Sequence, residues 1–136
     1  MTDHRFEVEV PVRYRDLDTY GHVNNANYAT FLEEGRIAYF EEVLELGQQS
    51  RGMILASLSI EFHEPVEADA VTVGLAITRI GSSSFDFAYE IAVDGRRVAT
   101  AESVQIAYDV DAGESIPFPD EWRATIEDFE GESVPE

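Results

Sequence analysis

Two carboxylates, Asp16 and Asp18, lie in a short polar segment between an alternating pattern and a long helical pattern. The same segment holds Gly21, His22 and Asn24, which are residue types that favour turns and helix starts. A carboxylate can act as a general base towards water or as a nucleophile. The first amides of a helix have no partner inside the helix and carry positive potential. The sequence therefore predicts that function resides in this segment, where the helix begins.

A long helix is predicted over residues 25–46. Asn24 or Asn25 is suited to cap its start, and Gly47 is suited to end it. Apolar or small residues recur at nearly every third or fourth position, and further apolar residues widen the buried face. A helix this apolar is covered on more than one side, as a core helix wrapped by a sheet would be. The face consists of Tyr28, Phe31, Leu32, Gly35, Ile37, Tyr39, Phe40, Val43 and Leu44.

Five segments alternate between apolar and polar residues and predict strands, at residues 6–15, 53–62, 71–80, 85–93 and 97–110. Pro11 removes a ladder donor, which favours an edge position or an interruption in the first strand. Asp94-Gly95 predicts a hairpin turn. A short helix is expected at residues 121–129 after Asp120, and residues 131–136 are expected to fray. This order predicts one α+β domain over residues 1–136, with an antiparallel sheet curled around the long helix and a second copy covering what remains open.

The chain carries an extreme negative charge, −19 at pH 7 over 136 residues, and all nine of its basic residues are Arg. Nucleic acids and anionic membranes are poor partners for such a chain, because binding them requires a basic patch. At molar salt the screening length falls to about 3 Å, so the self-repulsion of this charge becomes tolerable. The absence of Lys favours a surface adapted to very high salt over that of an ordinary acidic protein.

Several kinds of site are excluded by what the sequence lacks. Without Cys there is no disulfide, no thiolate nucleophile and no Cys-ligated metal. His4, His22 and His63 are scattered without ligand spacing, so neither a metal site nor a cofactor is expected. The first residues lack the apolar run of a signal peptide, and no apolar stretch approaches the ~20 residues that span a bilayer. A soluble, cytoplasmic protein is therefore expected.

The order of elements and two segments, residues 16–28 and 31–36, resemble the hotdog-fold acyl-CoA thioesterases. The similarity covers about residues 6–110 and points to the branch of 4-hydroxybenzoyl-CoA thioesterase and the bacterial long-chain acyl-CoA thioesterases. The resemblance implies a hotdog fold, in which an antiparallel sheet of about five strands wraps around one long central helix. It also implies an acyl-CoA substrate, hydrolysed to free acid and CoA, and a homodimer or homotetramer.

Carried over by position, the resemblance gives roles to particular residues. Asp18 corresponds to the catalytic carboxylate, and the Asn25 backbone N–H corresponds to the donor that polarises the thioester carbonyl. His22 and Tyr28, close to these positions, are predicted to contact substrate. The segment around Arg79 corresponds to one that lies near the CoA phosphates and pantetheine arm in relatives. Its polar members here are Ser82, Ser83 and Ser84, and some relatives have basic residues in place of the first two.

Thioester hydrolysis suits these residue types, because it needs a polarised carbonyl and an attacking oxygen but hardly a general acid. The leaving thiolate has a conjugate pKa of about 8.5, if a Cys thiol is a fair guide, so it can leave unprotonated. One carboxylate then suffices. The ordinary pKa of an Asp is about 3.9, so Asp18 is ionised at pH 7 and can act as a general base or as a nucleophile.

Simpler structural roles are predicted for the neighbouring polar residues. Asp16 is expected to form the turn, and His22 is expected to pack against it rather than act as a base. Asn24 and Asn27 are most simply helix caps. Ion pairs on the helix surface or at an interface are expected for Glu33, Glu34 and Arg36.

Two other functions remain open at this stage. A hydratase or dehydratase on the same fold would use an Asp and a His together, and Asp18 with His22 is the one such pair, one residue closer in sequence than that pattern requires. A binding module would hold acyl-CoA or acyl carrier protein without turnover. An acidic acyl carrier protein would be repelled by this surface at low salt, which favours CoA thioesters. The identity of the acyl group is not specified by the sequence.

Overall fold

The computed structural model of the protein describes residues 6–46 and 53–136. One antiparallel sheet has the strand order β1-β3-β4-β5-β2, and a short β6 pairs with the end of β5. The helix α1, Asn25–Glu42, lies between β1 and β2 in the chain, and α2, Asp120–Glu130, follows β6. The strands are β1 (Phe6–Pro11), β2 (Met53–Phe62), β3 (Ala70–Ile80), β4 (Ser84–Val93), β5 (Arg96–Asp109) and β6 (Glu114–Ser115).

The helix α1 packs mainly against β1 and β3 and leaves the β5–β2 side of the sheet less covered. Gly35 allows this close approach, since a Cβ there would lie 3.0 Å from a methyl carbon of Val73. Tyr39 and Phe40 place their rings edge-on against Phe87, at centroid distances of 5.2 and 5.8 Å. These aromatic contacts hold the helix at a defined height above the sheet.

The first strand is shorter than predicted. β1 ends at Pro11, and residues 14–16 form a single 3₁₀ turn instead of continuing the alternation. Tyr14, predicted on the apolar face, is 92% exposed. The cause is local, because the Asp16 carboxylate accepts a hydrogen bond from the Arg13 amide and turns the chain away from the sheet. The edge position predicted from Pro11 is confirmed, since β1 is the outermost strand beside β3.

Both helices have boundaries that differ from prediction. α1 ends at Glu42 rather than at residue 46, and Glu45 adopts a positive φ of 54°. The expected cap Gly47 lies outside the described residues. α2 begins at Asp120 with Pro119 as its N-cap, so Asp120 is the first helical residue rather than the cap.

The predicted fraying of residues 131–136 is wrong. The Arg123 guanidinium donates to the carbonyls of Val134 and Ile80 at 3.2 and 3.0 Å, and the Ile80 amide donates to Pro135 at 3.0 Å. The Val134 side chain is buried. This last segment is therefore fastened beside the end of β3. The two-residue strand β6 was not predicted, because two residues carry no periodic pattern.

The strand β2 forms the other edge of the sheet, and its side chains are more exposed than those of β3, β4 and β5. Ile54, Leu55 and Phe62 are each at least 40% exposed. A long apolar edge strand of this kind is a surface on which a second chain can pair. No helix within the described residues is both long and apolar enough to cross a membrane.

Candidate functional site

The turn before α1 is built around the buried carboxylate of Asp16, which is 1% exposed. Its two oxygens accept hydrogen bonds from the Arg13 amide at 2.8 Å and from the Arg13 guanidinium at 3.1 Å. Burial acts to raise the pKa of Asp16, but the hydrogen bonds and charge of Arg13 outweigh it and leave that pKa below its usual value. The turn-forming role predicted for Asp16 is confirmed.

The backbone of the same residue fastens the start of the helix. The Asp16 carbonyl accepts the Asn24 amide at 2.8 Å and the Asn27 side-chain amide at 3.0 Å. Asn24 is the N-cap, and its side-chain oxygen accepts the Ala26 amide at 2.9 Å. The cap predicted for Asn24 is confirmed, whereas Asn27 ties the helix to the turn instead of capping it. The orientation of the helix end is therefore set by hydrogen bonds on both sides.

Asp18 stands at the surface of this turn with its side chain exposed. Its Oδ1 atom accepts the backbone amides of Tyr20 at 2.8 Å and His22 at 3.2 Å. Its own amide donates to the His22 carbonyl at 2.7 Å, which closes a tight loop that includes Gly21 at a φ of 81°. Within the described residues, Oδ2 accepts no hydrogen bond. One oxygen is thus used to hold the loop, and the other faces outward.

The amide of Asn25 is the first of the helix and is the one left available. The next two amides both donate to Asn24. The Ala26 amide donates to the Asn24 side-chain oxygen, and the Asn27 amide donates to the Asn24 carbonyl at 2.9 Å. In the described part of the chain, the Asn25 amide has no acceptor. The first turn of α1 contains no acidic residue, so the positive potential of the helix end is not neutralised there.

Asp18 and Asn25 line one open cleft of about 270 Å³. Tyr28 forms part of its inner wall, packed edge-on against Phe62 at a centroid distance of 4.8 Å. Burial raises the pKa of Tyr28, so its hydroxyl stays neutral at pH 7. The cleft is lined by Asp18, His22, Val23, Asn25, Tyr28, Phe62, His63, Glu64 and Pro65. The structure therefore brings together four of the residues singled out from the sequence, namely Asp18, His22, Asn25 and Tyr28.

The His22 ring contacts the Glu67 carboxylate, and His22 meets Asp18 only through its backbone. An acid–base pair of the Asp18 carboxylate with the His22 ring, as a hydratase would need, is not formed here. Sequence reasoning missed Phe62, His63 and Glu64 as cleft residues. Glu64-Pro65 indicates in the sequence where β2 ends. That this end lies beside the turn before α1 depends on the order of the strands in the sheet, which the sequence did not predict. The His63 ring lies 3.2 Å from the Thr100 hydroxyl on β5.

Arg79 and the serines that follow it lie elsewhere in the chain's own fold. β3 begins beside the turn, since the Val12 amide donates to the Asp69 carbonyl at 2.7 Å, and Arg79 lies ten residues further along. At about 3.3 Å per residue, the separation is roughly 33 Å. The Arg79 guanidinium is engaged with the Asp86 carboxylate at 2.9 Å and the Ser84 hydroxyl at 2.7 Å. Within one protomer, the segment of Ser82, Ser83 and Ser84 does not reach the cleft.

Among the described residues, no group of three or more His, Cys, Asp or Glu side chains is arranged to hold a metal ion. The polar groups that line the cleft include the carboxylate of Asp18 and the backbone amide of Asn25. Together they offer a basic oxygen and a hydrogen-bond donor on one small opening, with an aromatic wall behind.

The sequence matches the Thioesterase-like superfamily over residues 12–126. A thioesterase from Thermus thermophilus, crystallised with coenzyme A and zinc, is 29% identical with a TM-score of 0.89, over 98% of this chain and 100% of that one. A predicted thioesterase from Bacillus stearothermophilus is 26% identical with a TM-score of 0.82, over 96% and 98% of the two chains. The long-chain acyl-CoA thioesterase FadM of Escherichia coli (strain K12) is 24% identical over 127 residues, which are 89% of this chain and 96% of FadM.

These comparisons confirm the hotdog fold predicted from the resemblance. The antiparallel sheet of five long strands, one short strand and one long helix is the α+β arrangement expected.

Proposed function

Because this chain belongs to the thioesterase-like superfamily and is a thioester hydrolase, we propose that it cleaves an acyl-CoA thioester in the cleft of Asp18 and Asn25. The proposal rests on the different hydrogen bonding of the two oxygens of one carboxylate. Oδ1 of Asp18 is held by two loop amides, and Oδ2 has no donor among the described residues. The loop thus fixes a carboxylate and leaves it one unoccupied oxygen.

The Asn25 amide supplies the second requirement of the reaction. A thioester carbonyl placed against it would develop its negative charge at the positive end of α1. The edge-on pair of buried Tyr28 and exposed Phe62 forms an apolar wall for the acyl group beside that carbonyl.

The attacking oxygen can be delivered in two ways. With Asp18 as a general base, a water oxygen attacks the carbonyl carbon while Oδ2 takes its proton, and the tetrahedral intermediate then expels the CoA thiolate with the C–S electron pair. With Asp18 as a nucleophile, Oδ2 attacks directly, the thiolate leaves, and water hydrolyses the resulting anhydride. Label found in Asp18 after a single turnover in ¹⁸O-water would establish the nucleophilic route, because only an anhydride opened at the Asp18 carbonyl carbon leaves label in the protein.

We also infer that a second copy completes this site. Two β2 edges pairing antiparallel around a two-fold axis would set the Phe62 end of one strand beside the Met53 end of the other. The Met53 end is joined through Ala107 to the serine segment, since the Ala107 amide donates to the Ser83 carbonyl at 2.9 Å. The serine segment of the partner would then approach the cleft of this protomer, which this protomer's own serine segment does not reach. This arrangement supports a homodimer as the smallest active unit.

Thiol release from a panel of acyl-CoAs, followed with a thiol reagent, tests the proposal. We expect the rate of CoA release to be proportional to the enzyme concentration. The Asp18→Asn protein should not release CoA. Tight binding of acyl-CoA without thiol release would instead favour a binding module. Hydration of crotonyl-CoA is not expected, because the His22 ring is directed to Glu67.

A further inference from the structure

The side of the sheet that α1 leaves less covered has a floor of small side chains. On β5, Ala99, Ala101 and Ser103 are buried and face the helix side of the sheet. Their partners on β2 include Ile60 and Leu58, which are half-buried and face the same side. These small side chains form a strip between α1 and β2, and the cleft of Asp18 and Asn25 lies at its Phe62 end.

A second opening, of about 300 Å³, lies at the Met53 end of this strip. Arg36 and Gln105 are its polar inner members, and their side chains are 7% and 1% exposed. Its lining consists of Glu33, Arg36, Ile37, Phe40, Met53, Leu55 and Gln105. Of the two places predicted for an Arg36 ion pair, the helix surface or an interface, the helix surface is wrong, because this side chain turns inward beneath the helix.

Among the described residues, the Arg36 guanidinium donates one hydrogen bond, from an Nη atom to the Tyr89 hydroxyl at 3.1 Å. Across residues 6–46 and 53–136, no carboxylate forms an ion pair with it within 4.0 Å. Burial raises the pKa of Tyr89, so this phenol is neutral and does not supply the missing negative charge. A guanidinium has five N–H donors, and most of those on Arg36 remain available.

The neighbours of Arg36 are also neutral and are held in place by one another. The Tyr89 hydroxyl hydrogen-bonds the Ser103 hydroxyl, which in turn lies 2.6 Å from the Gln105 amide nitrogen. These groups come from two paired strands and form a rigid polar floor. Glu33, the acid that lines the opening, lies at the exposed rim, where solvent screens its charge.

The Arg36 side chain is largely shielded from water, and a planar guanidinium matches a carboxylate in a bidentate geometry. From this cation, its neutral neighbours and the position of the two openings along α1, we propose that the acyl group of the substrate lies between α1 and β2 and ends in a carboxylate that binds Arg36 and Gln105. This inference rests on the proposed thioesterase function and deepens it to a class of substrate, the CoA monoesters of dicarboxylic acids.

The separation of the two openings along α1 sets the length of the acyl group. Asn25 and Arg36 are eleven residues apart on one helix, which is about 16 Å at 1.5 Å per residue. A single aromatic ring is too short to join the Asn25 amide to Arg36 of the same chain. A medium-length aliphatic chain, of the size of a dodecanedioyl group, fits that separation.

The test compares dodecanedioyl-CoA with lauroyl-CoA, which differ only at the far end of the chain. We expect kcat/KM to be at least about tenfold higher for dodecanedioyl-CoA in the native enzyme. Arg36→Met should remove or reverse this preference while thiol release from lauroyl-CoA persists. Arg96→Met is the matched control, because Arg96 is exposed and, among the described residues, pairs only with Glu64. This substitution should leave the preference unchanged.

Two further measurements keep the result decisive. Gln105→Met retains the cation and should lower the preference by a smaller factor, which tests the site even where Arg36→Met folds poorly. Free dodecanedioate should raise the melting temperature of the Asp18→Asn protein more than laurate does. Hydrolysis of both thioesters with equal kcat/KM, or a preference that survives Arg36→Met, would overturn the inference and leave the proposed function standing. Binding of dodecanedioate without hydrolysis of any thioester would support the site and reject the function.

Discussion

The Oδ1 atom of Asp18 lies 2.8 Å from the backbone nitrogen of Tyr20, so the candidate catalytic carboxylate is also the acceptor that shapes its own loop. The two roles can be separated by chemistry. An Asn side chain keeps an oxygen that accepts the loop amides, but it has no basic or nucleophilic oxygen at the second position.

Asp18→Asn is therefore expected to lower kcat at least about 100-fold, which corresponds to roughly 2.7 kcal/mol of barrier. The free energy of unfolding should change by less than about 1 kcal/mol, because the hydrogen bonds of this exposed loop are conserved. Steady-state thiol release and urea unfolding provide the two numbers. Glu64→Gln, which neutralises another carboxylate of the same cleft, is the control and should retain most activity. Full activity in Asp18→Asn would show that Asp18 only shapes the loop.

Asn25→Ala is the companion control at the other side of the cleft. It should lower kcat by less than about tenfold, because the proposed donor is the backbone amide and survives the substitution. The Asn24 cap also remains, so the helix start should not move. A loss as large as that of Asp18→Asn in the same assay would mean that the Asn25 side chain takes part in the reaction.

The Asp16–Arg13 contact predicts a dependence of stability on pH. The pKa of Asp16 in the folded state lies below its ordinary value of 3.8. The contribution of this carboxylate to the free energy of unfolding is therefore fully present above pH 3.8 and is lost as the pH falls through the folded-state pKa. Asp16→Asn should thus cost about 1.5–3 kcal/mol at pH 7 and progressively less in acid. Urea unfolding at pH 7 and at pH 3 measures the difference. Asp109→Asn, an exposed carboxylate that accepts loop amides, is the control and should cost little at either pH.

The strands and the start of α1 could be predicted because local signals agree with the final fold. Alternation placed β2 at the residues observed, and Asp94-Gly95 makes the predicted hairpin with φ values of 51° and 79°. Asn24 caps α1 through the short side-chain contact that makes Asn a common N-cap. These features depend on neighbours within a few residues.

The features that sequence reasoning missed depend on distant residues. Arg36 lies on the apolar face of the helix, four residues from Leu32 and Phe40, but its partner there, Tyr89, is brought beneath it only by the sheet order. The cleft residue His63 becomes relevant only because the end of β2 lies beside the turn before α1. The C-terminal segment is short and polar, and it is held by hydrogen bonds to Arg123 and to the distant residue Ile80. Tertiary contacts of this kind leave no periodic signal in the sequence.

The net charge of −19 predicts that stability rises with salt. At about 0.1 M salt the screening length is ~10 Å, so acidic groups across the surface repel one another, and at 1 M it falls to ~3 Å. The melting temperature is therefore expected to rise between 0.1 M and 2 M KCl, measured by circular dichroism at constant pH. Equal concentrations of sucrose in place of salt should not reproduce the full shift, because sucrose does not screen charge. A higher melting temperature at 0.1 M KCl would contradict an adaptation to high salt.

The composite site predicts complementation between two impaired variants. Asp18→Asn removes the carboxylate, and Ser82→Glu places a negative charge on the exposed serine segment that should raise KM at least about tenfold for the anionic CoA. Each variant alone has two damaged sites per dimer. A mixed dimer would have one site with native Asp18 and a native partner segment, so co-expression should restore activity towards half that of the native dimer. Co-expressed Asp18→Asn and Asp18→Ala chains form the control and should stay inactive. No recovery in purified mixed dimers would place the whole site within one chain.

The close approach of α1 to β3 predicts a coupling between Gly35 and Val73. Ala at position 35 gains about 1 kcal/mol of helix propensity over Gly, but its Cβ would lie 3.0 Å from a methyl carbon of Val73, closer than relaxed packing allows. Gly35→Ala alone should therefore change the free energy of unfolding by less than about 1 kcal/mol in either direction. In a Val73→Ala background the crowded methyl is absent, so the same substitution should stabilise the protein by about the full propensity difference. Urea unfolding of the four proteins of this cycle measures the coupling. An identical effect of Gly35→Ala in both backgrounds would mean that the helix shifts away from the sheet instead of pressing on Val73.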